Sequence, residues 1–244
     1  MVKTVMFDLD GTLLPFVQDE FIKYYFGGLC RKLTPLGYEP DSVVKNVWRG
    51  TGAMIKNDGS RTNSEAFWET FRAAFPDKPD AKALCDEFYT GEFDAVKQCL
   101  MHVPDHKPMI GRLKSAGAEI VLATNPIFPE CAVATRLAWV GLSMSDFAFV
   151  THYDNSTFCK PNPKYFGELL KKLGRKPSEC IMIGNSVGED ILPTKSLGID
   201  SFLVTEFVEN PENADISGFN SGTIEDAEKF ALDKLSKQPA WTTR

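Results

Sequence analysis

The stretch that decides the fold is "VKTVMFDLDGTLLP", residues 2–15. A β-prone apolar run from Thr4 to Phe7 stops abruptly at two aspartates, Asp8 and Asp10, with one leucine between them. The run is continuous rather than alternating, which suits a strand buried on both faces of a parallel sheet. Two carboxylates that close favour protonation of one of them unless a cation holds both ionised. A purely structural turn gains nothing from such crowding, so the pair points to chemistry at a strand end.

Two more runs of the same kind follow, Glu119 to Ala123 ("EIVLA") and Cys180 to Ile183 ("CIMI"). Weaker strand signals cover Phe147 to Val150 and Ser201 to Val204. Helical patterns separate them. In "NPKYFGELLKKLG", residues 162–174, Asn162 can cap, Pro163 fits the first turn and Gly174 suits the end. Phe166, Leu169, Leu170 and Leu173 make one apolar face there. "IGRLKSAG", residues 110–117, places another helix just before the second strand. This alternation predicts a doubly wound, Rossmann-like α/β core.

Residues 15–103 carry no strong strand signal. "DEFIKYYFGGLCRKL" (19–33), "SEAFWETFRAAF" (64–75) and "AKALCDEFYTGEFDAVKQCL" (81–100) all read as amphipathic helices. The expected organisation is an α/β core of residues 1–14 and 104–244 interrupted by a helical insertion, 15–103. Its hinges are expected at Leu14-Pro15 and at "VPDHKP", residues 103–108. The chain after Gly222 reads as one amphipathic helix with a frayed tail.

In open parallel sheets, ligands bind beyond the carboxyl ends of the strands. The groups delivered there are Asp8, Asp10, Gly11 and Thr12, then Thr124 and Asn125, then Lys160, then Asn185 and Ser186 with Glu189 and Asp190 further on. Carboxylates without histidine or thiolate partners suit a hard cation such as Mg²⁺.

Asp8-Leu9-Asp10-Gly11-Thr12, Thr124, Lys160 and "GNSVGEDI" (184–191) occur in the order and context of the four motifs of the haloacid dehalogenase-like superfamily, which this chain resembles over about residues 1–14 and 105–206. The insertion then resembles that family's helical cap. The resemblance implies a Mg²⁺-dependent phosphatase acting on a small phosphorylated metabolite. In it Asp8 is the nucleophile and forms an aspartyl-phosphate. Asp10 is the general acid and then the general base, and its backbone carbonyl is a metal ligand. Gly11 lets the main chain approach and offers an N–H to phosphate oxygens. Thr124 and Asn125 hold other phosphate oxygens, and Lys160 neutralises charge on the nucleophile and the phosphoryl group. The metal set is Asp8, Asp10, Asn185 and Asp190.

One departure stands out. The fourth motif usually opens with glycine and aspartate, whereas here Asn185 follows Gly184. An asparagine carbonyl can ligate Mg²⁺ but brings no charge. The expectation is a metal between Asp8, the Asp10 carbonyl and Asn185 with Asp190 behind, direct ligation by Asp190 being the alternative. Asp10 separates phosphatase from dehalogenase chemistry, because carbon–halogen cleavage does not need its acid–base work. A sugar-phosphate mutase-type phosphotransferase would need the same core, and a non-catalytic binding or regulatory module would keep only the fold.

Other candidates weigh less. His102 and His106 are four apart, but Pro104 between them breaks any shared helix, so no histidine metal site is expected. His152 follows a weak strand and reads as loop surface. Arg49, Lys56 and Arg61 lie in "WRGTGAMIKNDGSR", residues 48–61. Cap loops face the active site in this family, so any of them is a candidate to grip the substrate's distal end; solvated surface charge is the simpler reading.

With 244 residues the chain can build one large domain or two modest ones. Its formal charge of −6 argues against a general nucleic-acid binder. No apolar run is long enough to span a membrane. The first residues lack the regions of a signal peptide, and the six cysteines form no C-x-x-C pair. Reduced thiols and a cytoplasmic location are therefore expected.

Overall fold

The computed structural model describes residues 1–236. A six-stranded sheet runs in the order β3-β2-β1-β4-β5-β6, and every adjacent pair is parallel. The strands are β1 (Thr4–Phe7), β2 (Glu119–Leu122), β3 (Phe149–Val150), β4 (Cys180–Gly184), β5 (Asp200–Val204) and β6 (Ser221–Gly222). β1 lies between β2 and β4, and all four of its residues are buried. This is the two-sided burial that its unbroken apolar run requires.

Side-chain alternation sorts the strand residues onto the two faces. Met6, Val121 and Met182 pack against Tyr165, Phe166, Leu169 and Leu170 of helix α7 (Pro163–Leu173). Val5, Phe7, Ile120, Leu122, Ile181 and Ile183 share the opposite core with Ile110 and Leu113 of α5 (Lys107–Ser115) and Ala227 of α9 (Ile224–Ser236). α7 has the ends its sequence announces. The Asn162 side chain accepts from the Lys164 N–H at 3.0 Å, and Gly174 adopts the left-handed conformation (φ 62°) that closes the helix.

Between β1 and α5 the chain is helical: α1 (Gln18–Leu33), α2 (Pro40–Ile55), α3 (Asn63–Ala73), α4 (Lys82–Thr90) and a 3₁₀ segment, Glu92–Cys99. α3 opens with a capping box, in which Thr62 and Glu65 exchange side-chain and backbone bonds. The two chain segments joining this region to the sheet run side by side, with Phe16 bridged to Leu100 and the Met101 N–H donating to Pro15 O at 3.0 Å.

The structure corrects several local readings. Arg49 stands on helix α2, not on a loop. Gly50 and Gly52 there do not break the helix; a Cβ on Gly50 would lie 2.6 Å from the Phe67 ring, so glycine is what lets α2 pack onto α3. Helix α6 (Glu130–Trp139), the short α8 (Leu192–Ser196) and the two-residue β6 had no clear sequence signal. The frayed tail expected after α9 lies outside the described residues. Among those residues no helix is long and apolar enough to cross a membrane.

Candidate active site

Asp8 is the first residue past β1. Its N–H donates to Ile183 O of β4 at 2.9 Å, so two neighbouring strands fix its position. Lys160, just before α7, points its ammonium at it: Nζ donates to Asp8 Oδ1 at 2.8 Å and to Asp190 Oδ1 at 2.6 Å. Lys160 is only 1 % exposed. Burial pushes its pKa down, but Asp190 and Asp8 outweigh that effect and hold it well above the lysine range. The Asp190 carboxylate is braced on its other oxygen by the Ser186 N–H, 3.1 Å away. Gly184 makes room for it, since a Cβ there would sit 2.2 Å from Asp190 Oδ2.

Asp10 has a different partner. Arg136 of α6 brings Nη1 to 2.8 Å from Oδ1 and 2.7 Å from Oδ2. Its guanidinium also lies against the Phe128 ring, 4.5 Å from the centroid, while its Nε and Nη2 are buried without a hydrogen-bond partner among the described residues. Burial raises the Asp10 pKa, Arg136 pulls it back down, and Asp8 raises it again.

Gly11 takes a positive φ of 76° in the tight loop after β1. Its N–H donates to Leu14 O at 2.9 Å, so the donor expected to face phosphate is already engaged within the loop. A Cβ on Gly11 would lie 2.2 Å from Asn185 Nδ2. Asn185 itself accepts from Thr12 Oγ1 at 3.1 Å and donates to Phe207 O at 2.7 Å. Both ends of its amide thus clamp loops, and Asp190 is the residue joined through Lys160 to Asp8.

Thr124 and Asn125 follow β2. The Thr124 carbonyl accepts from Thr151 Oγ1 at 2.7 Å and from Tyr165 OH at 3.0 Å, which anchors the strand end. Asn125 Nδ2 donates to Glu189 Oε2 at 3.0 Å, and its buried Oδ1 has no partner among the described residues. Asp8, Asp10, Gly11, Thr124, Asn125, Asn185 and Asp190 all line one cavity of about 460 Å³.

Negative charge is in excess here. Asp8, Asp10, Glu189, Asp190 and Glu209 line the cavity, and among the described residues only Lys160 and Arg136 form ion pairs with any of them. Burial is the main cause of raised pKa values at Glu189, Asp190 and Glu209, and in each case the neighbouring Asp8 charge adds to it. Among the described residues, no three His, Cys, Asp or Glu side chains are grouped as a metal site.

The remaining candidates fall elsewhere. His106 Nε2 bonds Leu13 O at 2.9 Å, a structural contact, and His102 is exposed. His152 stands beside Asp154 and Glu130, outside the cavity lining. Arg49, Lys56 and Arg61 are exposed and do not line the cavity; Arg61 pairs with Glu69. The sequence reading missed Arg136 and Glu209. Arg136 is the only basic residue of "ECAVATRLAW" (130–139), set between Val133 and Leu137, and an arginine on an apolar face was the available signal. Glu209 lies in a loop and reaches the site because its N–H donates to Asn185 O at 2.9 Å.

The doubly wound parallel sheet thus gathers Asp8 and Asp10 from beyond β1, Thr124 and Asn125 from beyond β2, Glu189 and Asp190 from beyond β4, and the buried Lys160 from before α7, the arrangement of an α/β core with its site at the carboxyl ends of the strands. Residues 2–198 match the family profile described as haloacid dehalogenase-like hydrolase, and the chain belongs to that family. It is 30 % identical over 97 % of its length to the phosphoglycolate phosphatase of Vibrio parahaemolyticus, covering 94 % of that relative. It is 24 % identical to the glyceraldehyde 3-phosphate phosphatase of Methanopyrus kandleri over 96 % of this chain and 94 % of the other. Among solved structures it resembles a 2-haloacid dehalogenase from Pseudomonas syringae pv. Tomato (TM-score 0.65, 21 % identity, 97 % of this chain and 100 % of that one). A HAD phosphatase from Thermococcus onnurineus is also similar (TM-score 0.57, 23 % identity, 94 % and 97 % covered).

Proposed function

We propose that this enzyme is a Mg²⁺-dependent phosphatase that hydrolyses a small phosphomonoester through an aspartyl-phosphate on Asp8. The observation that carries the reading is the Asp8–Lys160–Asp190 relay, in which one buried ammonium bridges two carboxylates. Lys160 orients Asp8 Oδ1 and offsets charge as phosphate approaches, which is the main demand of phosphoryl transfer.

In the first step an Asp8 carboxylate oxygen attacks phosphorus. The bond from phosphorus to the leaving oxygen breaks, its electron pair stays on that oxygen, and the Asp10 carboxyl supplies the proton. In the second step water attacks the phosphoryl group, Asp10 takes the water's proton, and phosphate departs from a regenerated Asp8. The Thr124 hydroxyl and the Asn125 backbone N–H hold phosphate oxygens at the end of β2.

The excess acidic charge and the oxygen-only donor set fit a hard divalent cation. Asp8, the Asp10 carbonyl and Asp190 would hold it, with the Asn185 carbonyl as the further donor. Bound there, Mg²⁺ supplies charge compensation for the phosphoryl oxygens. The helices of residues 15–103 act as a cap over residues 1–14 and 104–244. Six free cysteines are compatible with a cytoplasmic enzyme.

The test is Asp8→Asn assayed with an aryl phosphate and Mg²⁺, with circular dichroism as the folding control. Turnover is expected to fall by about a thousandfold or more in a folded protein. Full activity in that variant, or no Mg²⁺-dependent phosphate release by the wild type, overturns the reading.

A further inference from the structure

Resting on the phosphatase reading, we infer that the ester's leaving group is apolar and uncharged, an aryl or alkyl tail. It does not carry a second acidic group. The cavity above the carboxylates is walled by Phe26, Trp48, Phe67, Phe71, Phe128 and Tyr153. Away from the strand ends, the neutral polar groups of the lining are Gln18, Thr51, the Tyr25–Tyr89 hydroxyl pair, whose oxygens lie 2.8 Å apart and are bonded to each other, and Trp68 Nε1, which donates to Tyr153 OH at 3.2 Å.

The charges lining this cavity all have one sign. Asp8, Asp10, Glu189, Asp190 and Glu209 face it, and among the described residues no lysine or arginine lines it. Lys160 is consumed by Asp8 and Asp190, and Arg136 by Asp10. A carboxylate or second phosphate on the substrate would enter an apolar enclosure without a counter-ion and beside Glu209. Buried charge without a partner is strongly disfavoured, whereas an apolar tail gains by leaving water. Phosphoglycolate, the compound in the name of the Vibrio parahaemolyticus relative, carries such a carboxylate. The lining of this chain is built for something else.

The test compares two primary alkyl esters, so that leaving-group reactivity is similar. The kcat/KM of the full chain with Mg²⁺ is measured for 2-phenylethyl phosphate and for phosphoglycolate. The apolar ester is expected to be favoured by about tenfold or more. Trp48 is 49 % exposed at the cavity wall and so tolerates replacement. Trp48→Arg is expected to shrink the preference by about fivefold or more by supplying the missing cation. Equal or better turnover of phosphoglycolate by the wild type overturns the inference, as does a preference unmoved in Trp48→Arg. Calorimetric binding of 3-phenylpropylphosphonate against 3-phosphonopropionate, both non-hydrolysable, separates this inference from the phosphatase reading. If neither ester is hydrolysed but the phenyl compound binds more tightly, the phosphatase reading falls and the apolar site stands. If the carboxylated compound binds as tightly, or neither binds, the apolar site falls.

Discussion

Arg136 holds both carboxylate oxygens of Asp10 through a single nitrogen, at 2.8 and 2.7 Å, from a side chain with no exposed surface. Asp10 lines the cavity, while Arg136 approaches from α6 behind it. The pair therefore sets where the proposed acid–base group points. If Arg136 acts by positioning Asp10, the two residues must be energetically coupled. Arg136→Gln is expected to lower kcat by about tenfold to a hundredfold in the wild-type background and by less than about twofold in Asp10→Asn. A double-mutant cycle on kcat measures this. Additive losses would mean that Arg136 contributes only to folding.

Lys160 poses the opposite problem, because it is the ion that two buried acids depend on. Asp190 is 1 % exposed and the Asp8 side chain 10 %. Removing the ammonium leaves two uncompensated carboxylates at the carboxyl end of the central strands, and breaking such a buried group typically costs about 3–5 kcal/mol. Lys160→Ala is expected to lose stability of that order in urea unfolding with chelator present. A loss below about 1 kcal/mol would show that water already reaches the pair.

Asn185 occupies the place where the family usually has a charge, and the structure gives the substitution a physical context. Its Nδ2 donates to the Phe207 carbonyl at 2.7 Å. An aspartate there would turn an acceptor toward an acceptor, a mismatch worth about 1–3 kcal/mol. Asn185→Asp is therefore expected to melt lower than the wild type in chelator and to gain more melting temperature from added Mg²⁺. Thermal denaturation with and without the metal decides; a chelated variant as stable as wild type contradicts the assigned hydrogen bond.

His106 ties α5 to the loop after β1 through Leu13 O. Burial lowers its pKa; the Leu13 carbonyl, Asp105 and Glu225 of α9 push the other way, and His102 adds to the lowering. A histidine whose folded pKa is depressed binds its proton more readily when unfolded. Its stability contribution is present above the unfolded value, about 6.5, and is lost as pH falls below it. Urea midpoints of the wild type are expected to drop between neutral and mildly acidic pH more steeply than those of His106→Gln. Parallel slopes would remove His106 as the cause.

The legible parts of the chain were those where local pattern and local structure share one cause. The buried runs at Thr4–Phe7 and Cys180–Gly184 became the central strands because only a strand covered on both faces tolerates such residues. Asn162 and Gly174 bounded α7 because capping and left-handed closure act over a few residues. α2 escaped notice because Gly50 looks like a helix breaker until Phe67 is seen to need the space. The α6 arginine escaped because its partner, Asp10, is far away in the chain.

The sequence alone determined the alternation of strands and helices and, because strand ends in parallel sheets carry the ligand-facing groups, the candidates Asp8, Asp10, Thr124, Lys160 and Asp190; the family was legible only as a resemblance, in the order of the four motifs that hold them. Which acid pairs with which base was decided only in three dimensions. Lys160 serves Asp8 and Asp190, Arg136 serves Asp10, and the cavity above them is apolar. Those choices depend on side chains from the segments after β1 and β4, the segment before α7, α6 and the inserted helices meeting in one place, and that proximity comes from packing rather than from any spacing along the chain.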